Sequence, residues 1–185
     1  MDLSTAIELR RAYRSLEKTD INEDLIKTLA LSASLSPSCY NHQPWKFVFV
    51  YEHDALEVLK TALSKGNDWA RNASMIIAVL SKPNDDCVLG DRKYYLFDTG
   101  MATALLILKA TELGYVAHPI AGYNPETAKG AIKSPDDMEI ITLIIFGKHK
   151  EEIDPILSEK QRNDEIKRPE RKPFNEYACL NRYCL

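Results

Sequence analysis

Residues 36–45 of the chain read SPSCYNHQPW, and they separate a predicted helix from a predicted strand. The helix is expected over residues 25–35, where apolar side chains recur at helical spacing. The strand is expected over residues 47–51, a short run of apolar, β-branched and aromatic residues. Pro37 ends the helix, and Pro44 holds the residue before it in an extended conformation.

The loop at residues 36–45 is polar, and a proline constrains it near each end. The side-chain amides of Asn41 and Gln43 both donate and accept hydrogen bonds, so the loop is suited to binding a flat polar ligand. The alternative is a plain helix-to-strand turn, in which those amides only bond the neighbouring backbone. Local chemistry does not separate these two interpretations.

The composition is that of one globular domain. The chain has 185 residues, of which 45% are hydrophobic and 28% charged. The net charge of −3 and the pI near 5.8 argue against a general nucleic-acid-binding protein. No apolar run reaches the roughly 18 residues of a membrane-spanning helix, so we expect no membrane segment, and the N-terminus lacks a signal-peptide pattern.

The four cysteines form no Cys-x-x-Cys pair; they are Cys39, Cys87, Cys179 and Cys184. Their spacing predicts neither a metal site nor a disulfide framework, so we expect a protein of the reducing cytoplasm. The sequence also contains no P-loop, no nucleophile elbow and no glycine-rich dinucleotide fingerprint.

Three arginines are a candidate phosphate site. Arg10, Arg11 and Arg14 fall in a first predicted helix over residues 4–14, with Ser4 as its N-cap. At this spacing Arg14 can share a patch with either of the others. Guanidinium groups match phosphate oxygens in a bidentate geometry. The alternative is a solvated helix face on which the arginines pair with nearby glutamates.

The longest predicted helix covers residues 93–113 and is apolar almost all the way round, so it must be buried on most sides. Either the domain buries it internally, or part of it lies in a subunit interface. Residues 148–172 are highly charged and scarcely periodic, which predicts an extended polar segment. The other predicted elements are helices over residues 54–63 and after Asn124, a helical turn over 69–74, and strands over 75–80, 115–121 and 140–146.

Four motifs, in order and at fitting distances, resemble those of the nitroreductase-like FMN-dependent oxidoreductases. They are Asn-x-Gln-Pro-Trp within residues 36–45, the arginines of residues 10–14, Pro-Ile-Ala-Gly-Tyr at 119–123 and Arg-Lys-Pro-Phe-Asn-Glu-Tyr at 171–177. The resemblance implies an α+β fold with a central, mainly antiparallel sheet packed between helices. It also implies an intertwined homodimer, with residues 1–165 as a single FMN-binding domain and residues 166–185 as an arm that crosses to the partner subunit.

The resemblance assigns the cofactor-binding residues. They are Arg10, Arg11, Arg14, Pro37, Ser38, Cys39, Asn41, Gln43, Pro119, Ile120, Ala121, Gly122 and Arg171. The arginines are expected at the FMN phosphate and ribityl end, and the 37–43 and 119–122 segments at the flavin ring. Three positions depart from the family pattern: Ala12 and Cys39 stand where serine is usual, and Ala121 stands where an acidic residue is frequent.

The implied activity is reduction of a small electron acceptor, such as a nitroaromatic or a quinone, with NADH or NADPH as hydride donor. Chemistry carried by the flavin explains why no catalytic side chain stands out. A ping-pong mechanism is expected, because one flavin face serves donor and acceptor in turn. Two alternatives remain open: a flavin-binding sensor or carrier without turnover, and a flavin-consuming or dehalogenating relative on the same fold.

Overall fold

The computed structural model of the protein describes residues 1–184 and has an antiparallel sheet at its centre. Its long strand β7 pairs with β3 on one side and with β6 and the short β1 on the other, while β2 pairs with the far edge of β3. A separate small hairpin joins β4 and β5. The strands are β1 Leu16–Glu17, β2 Lys46–Val50, β3 Met75–Ser81, β4 Val88–Leu89, β5 Arg92–Lys93, β6 Val116–Ile120 and β7 Glu139–His149.

Six α-helices accompany these strands within the described residues. They are α1 Leu3–Leu9, α2 Glu23–Ser34, α3 His53–Lys60, α4 Tyr94–Glu112, α5 Pro125–Ile132 and α6 Glu159–Ile166. Local signals explain several of the boundaries. The Asn22 side chain caps α2. Asn124 caps α5 directly before Pro125, as the sequence predicts. None of the helices in the described part of the chain is long and apolar enough to cross a membrane.

The core has two halves because successive residues of a strand face opposite sides of the sheet. Ile76, Ala78 and Leu80 of β3 pack with the side chains of α3 and α5. Met75, Ile77 and Val79 pack with the side chains of α2 and α4 instead. All seven residues of β3 are buried, as expected of a strand covered on both faces. The predicted α+β fold, with its sheet between helices, is therefore confirmed.

The first helix is shorter than predicted. It begins after Asp2, whose carboxylate accepts a hydrogen bond from the Thr5 N–H, so Ser4 is not the N-cap. It ends at Leu9, and Arg10 has a non-helical backbone. The three candidate arginines therefore lie on an extended segment and not on one helix face. The reason is tertiary, because the chain must already be extended where β1 pairs with β7.

The charged region after β7 is more ordered than its composition predicts. It contains α6, which opens with a capping box between Ser158 and Gln161. Leu157 anchors the helix start in the core with 3% exposure. Hydrophobic periodicity could not reveal α6, because polar contacts hold this helix. The structure does not show the expected arm exchange: Arg168 donates hydrogen bonds to the carbonyls of Glu8 and Arg10 in its own chain.

The four cysteines form two disulfides, so the expectation of none is wrong for this structure. Cys39 is bonded to Cys87, with a Cα–Cα distance of 6.1 Å. Cys179 is bonded to Cys184, with a Cα–Cα distance of 5.7 Å. Spacing along the chain could not show the first pair, because 48 residues separate its members and the fold alone brings them together.

Helix α4 is buried on one side only. The buried side includes Ala102 and Leu106, but also three polar residues that the apolar pattern does not predict: Asp98, Thr99 and Thr103. The opposite side leaves apolar surface open to solvent, and Phe97 is 58% exposed. A single chain therefore does not bury α4 on most of its sides.

Candidate functional site

Five arginines line one cavity of about 190 Å³ near the start of the chain. Asp164 is the only acidic residue among its lining residues. Three of the arginines come from the extended segment after α1, and two follow α6. They are Arg10, Arg11, Arg14, Arg168 and Arg171. The structure thus brings together all four arginines that the sequence assigned to a phosphate, and it adds Arg168.

The fold holds two of these arginines in place. Arg11 donates from Nη2 to the carbonyls of Asp164 and Glu165, at 2.5 and 3.1 Å. Its guanidinium also lies 4.6 Å from the centre of the Tyr13 ring. Arg14 has one ion pair, 3.7 Å from the Asp164 carboxylate. The arginines are therefore partly preorganised, and the solvated-face alternative does not describe them.

Glu165 fixes the path of the arginine segment. Its carboxylate accepts hydrogen bonds from the backbone N–H groups of Arg14, at 2.7 Å, and Ser15, at 3.1 Å. The Glu165 side chain is only 3% exposed, and His149 Nε2 lies 3.9 Å from it. Sequence reasoning missed this residue, because an ordinary glutamate on a charged helix carries no signal of burial.

Unbalanced positive charge gives the cavity its chemistry. Burial lowers the pKa of Arg10, and the positive charges of Arg168 and Arg171 lower it further. Five guanidinium groups against one carboxylate leave the cavity strongly cationic. A doubly charged phosphate would relieve this repulsion and accept several charge-assisted hydrogen bonds. The residues therefore suit a phosphate monoester.

His118 connects this region to the predicted 119–122 segment. It donates from Nδ1 to the Tyr13 carbonyl at 3.1 Å, and its ring lies 4.7 Å from that of Trp69. Burial lowers its pKa to about 4, although the Tyr13 hydrogen bond acts in the opposite direction. His118 is therefore neutral at physiological pH and acts as a packed hydrogen-bond donor.

The 119–122 segment begins with the last two residues of β6 and then turns at Ala121 and Gly122. The Gly122 carbonyl accepts hydrogen bonds from Asn67 Nδ2, at 2.8 Å, and from the Ser64 N–H, at 3.1 Å. A Cβ at position 122 would overlap the Asn67 amide, so a larger residue there would push the Asn67 side chain aside and disturb its hydrogen bond to the Gly122 carbonyl. Pro119 and Ala121 are exposed, whereas Ile120 is buried in the core. The turn thus presents Pro119 and Ala121, and not Ile120, to solvent.

The 37–43 loop is a tight, constrained turn. Ser38 Oγ accepts the Gln43 N–H at 2.9 Å, and the Asp98 carboxylate accepts the Cys39 N–H at 2.7 Å. Three non-glycine residues have left-handed backbones: Tyr40, Asn41 and Gln43, with φ of 47°, 61° and 50°. Such conformations persist where the surroundings over-determine them, and they often mark functional loops. Asn41 and Gln43 nevertheless lie exposed, and the Gln43 side-chain amide donates a hydrogen bond to the Asn41 carbonyl at 3.3 Å.

The 37–43 loop and the arginine cavity do not form one pocket in a single chain. Pro44 accepts a hydrogen bond from Ser81, which pairs with Glu139 at the start of β7. Tyr13 stacks on His149 at the other end of that strand, with ring centres 3.7 Å apart. These two anchor points lie roughly 30 Å apart along β7 at the usual rise per residue. The cavity lining accordingly includes no residue of the loop.

Residues 7–148 match the family model of the Nitroreductase family, which is more than half of the chain. The protein therefore belongs to the nitroreductase family, as the sequence motifs predict. A protein of Archaeoglobus fulgidus, whose name gives NADH dehydrogenase/NAD(P)H nitroreductase as a provisional activity, is 27% identical over 154 residues. That match covers 80% of this chain and 86% of the relative.

Solved structures show the same fold. A nitroreductase family protein from Clostridium novyi NT is 26% identical, with a TM-score of 0.76 over 82% of this chain and 87% of that one. A crystal structure described as an oxidoreductase containing FMN has a TM-score of 0.85 and 24% identity, covering 100% of this chain and 93% of that one.

Proposed function

We propose that this protein is an FMN-dependent oxidoreductase that takes hydride from NADH or NADPH and reduces a small acceptor such as a nitroaromatic or a quinone. The five-arginine cavity carries the proposal, since it suits a terminal phosphate monoester. The sequence has no dinucleotide fingerprint, which favours FMN over FAD. Family membership and the FMN-containing structural relative support the same cofactor.

Each part of the site would have a distinct task. Arg10, Arg11, Arg14, Arg168 and Arg171 would hold the phosphate. The backbone of the 119–122 turn, and Ser38, Asn41 and Gln43 of the loop, would bind the ring system. FMN, when bound, supplies the hydride chemistry, and the protein binds and orients it. The Gly122 N–H donates no hydrogen bond within the described part of the chain, so it is free to bind a polar edge of the ligand.

The arginine cavity and the 37–43 loop are two half-sites that lie apart within one chain, and this separation favours a homodimer as the active unit. One chain holds the cavity and the other chain's 37–43 loop would complete the site. The apolar side of α4, with Phe97 exposed, is a suitable contact surface. It adjoins an apolar groove of about 390 Å³ lined by residues of α1, α2 and α4, among them Leu3, Leu35 and Leu105. We propose that the arm after Arg171 then reaches the partner, since Phe174 and Tyr177 are exposed in one chain.

The cofactor and the mechanism can be tested together. We expect the purified protein to release FMN, identified by mass, after acid treatment. Bound flavin should bleach on anaerobic addition of NADH or NADPH and recolour with a quinone. Initial rates should give parallel double-reciprocal lines. Bound flavin that never bleaches would instead identify a sensor or carrier, and released FAD would contradict the assignment of the cavity.

The shared site predicts complementation between two impaired variants. Arg14→Ala should weaken FMN binding about 10- to 150-fold, the equivalent of the roughly 1.5–3 kcal/mol of a hydrogen bond to a charged group. Asn41→Ala should impair the other half-site. A mixed dimer of the two variants, co-expressed with different tags, retains one fully intact site. It should therefore recover about half of the normal activity per dimer.

The control for that experiment is Arg71→Ala, since Arg71 is exposed and pairs only with Asp68 on the surface. It should bind FMN normally. A mixed dimer no more active than its parents would show that Arg14 and Asn41 do not serve one site across two subunits.

A further inference from the structure

The Cys39–Cys87 disulfide joins two parts of the protein that matter for the proposed site. Cys39 lies between Ser38 and Asn41 in the 37–43 loop. Cys87 lies in the segment between β3 and α4, directly before the β4–β5 hairpin. Both half-cystines are partly exposed.

Two buried carboxylates flank this disulfide in a matched arrangement. Asp98 accepts the backbone N–H of Cys39 at 2.7 Å, and Asp86 accepts the backbone N–H of Cys87 at 2.7 Å. Asp86 is 4% exposed and Asp98 is 1% exposed. A carboxylate oxygen of Asp86 and both sulfur atoms lie within 4.8 Å of one another.

Each carboxylate also has a buried oxygen without a partner within the described residues: Asp86 Oδ2 and Asp98 Oδ1. Buried polar atoms of native proteins are seldom left unsatisfied. Burial raises the pKa of Asp86, and the neighbouring Asp98 raises it further against the effect of the Cys87 N–H. A proton on Asp86 directed at Asp98 would satisfy both oxygens. Such a proton would lie beside the disulfide.

We propose that Cys39 and Cys87 form a redox-active pair that accepts two electrons from the reduced flavin, with the Asp86–Asp98 pair supplying a proton. The inference rests on the proposed function. The S–S bond breaks and two S–H groups form, one proton coming from Asp86 and one from the reduced flavin. The flavin is left oxidised. In the net reaction, NAD(P)H, a proton and the disulfide are converted to NAD(P)⁺ and the dithiol.

The second disulfide is an internal comparison. Cys184 is exposed, and no buried carboxylate is hydrogen-bonded to either Cys179 or Cys184 in the described part of the chain. The Cys179–Cys184 disulfide also involves none of the residues assigned to the candidate site. A reduction that passes through the flavin should therefore select Cys39–Cys87, whereas an unselective reaction should open both pairs.

The test uses FMN-loaded protein under anaerobic conditions. After NADH or NADPH addition, samples are quenched in acid with N-ethylmaleimide and digested for peptide mass analysis. We expect alkylation at Cys39 and Cys87, an intact Cys179–Cys184 bond, and two equivalents of NAD(P)H consumed per subunit. A Cys87→Ser variant should consume one equivalent. FMN-free protein with the same donor should keep both disulfides.

Several outcomes would overturn the proposal. Flavin that bleaches while Cys39–Cys87 stays oxidised would refute it and leave the proposed function standing. Failure to bind or bleach FMN would refute the proposed function itself, and this inference with it. Free thiols holding stoichiometric zinc in the purified protein would identify a metal site instead.

The role of Asp86 has its own readout. An Asp86→Asn variant keeps the shape of the side chain but cannot hold a transferable proton. It should bleach at the normal rate, yet form thiols at least tenfold more slowly, since general-acid catalysis typically contributes about 10²–10⁴-fold. Thiol formation at an unchanged rate would assign Asp86 a purely structural role.

Discussion

Replacing Glu165 with alanine should lower the free energy of unfolding by about 2–6 kcal/mol, because one buried and one partly buried N–H donor lose their acceptor at roughly 1–3 kcal/mol each. Those donors belong to Arg14 and Ser15, on the segment that carries the arginines. FMN affinity should fall as well, since the segment is no longer held against α6. Urea unfolding monitored by circular dichroism gives the stability change.

Two further variants make this result specific. Glu159→Ala changes an exposed glutamate at the start of the same helix and should cost well under 1 kcal/mol, the usual range for surface changes. Glu165→Gln keeps one oxygen acceptor and should fall between the two alanine variants. A loss below 1 kcal/mol for Glu165→Ala would mean that water or a rearranged backbone replaces the carboxylate.

Acid should destabilise the protein through His118. Its pKa is about 4 in the folded chain, against an ordinary value of 6.5, so the folded state favours the neutral ring. This stabilisation is complete above pH 6.5 and is lost as pH falls towards 4, where the unfolded chain binds a proton that the folded chain does not. The shift corresponds to about 3 kcal/mol.

The measurement is unfolding by urea at pH 7 and pH 4.5, in the wild type and in His118→Asn. Asparagine can keep the hydrogen bond to the Tyr13 carbonyl but does not titrate, so the variant should lose less stability on acidification. His53→Asn, at an exposed position, should behave as the wild type does. Equal acid sensitivity of His118→Asn and the wild type would show that carboxylates, and not His118, govern the effect.

The predictions for Glu165 and His118 depend on contacts that local sequence patterns do not show, whereas several elements of the fold did follow from such patterns. Repeating apolar residues were enough to predict β3, β7 and α4, because each of these elements buries its own side chains. Asn124 and Pro125 likewise predicted the start of α5, since a cap acts on the backbone beside it. Four arginines were identified from their motifs, and the structure places all four around one cavity.

The path of residues 10–14 was predicted wrongly as helical. A carboxylate about 150 residues away in the chain, together with the pairing of β1 and β7, decides it. Helix α6 was missed for the related reason that its stability comes from a capping box and polar contacts and not from an apolar stripe.

The sequence by itself determined the family, the α+β class and the cluster of arginines that suits a phosphate, because motifs and periodicity are properties of neighbouring residues. Only the tertiary structure decided that Cys39 meets Cys87 beside two buried carboxylates, and that the arginines and the 37–43 loop occupy opposite ends of β7. Burial and separation in space arise when distant segments pack together, and no spacing along the chain encodes them directly.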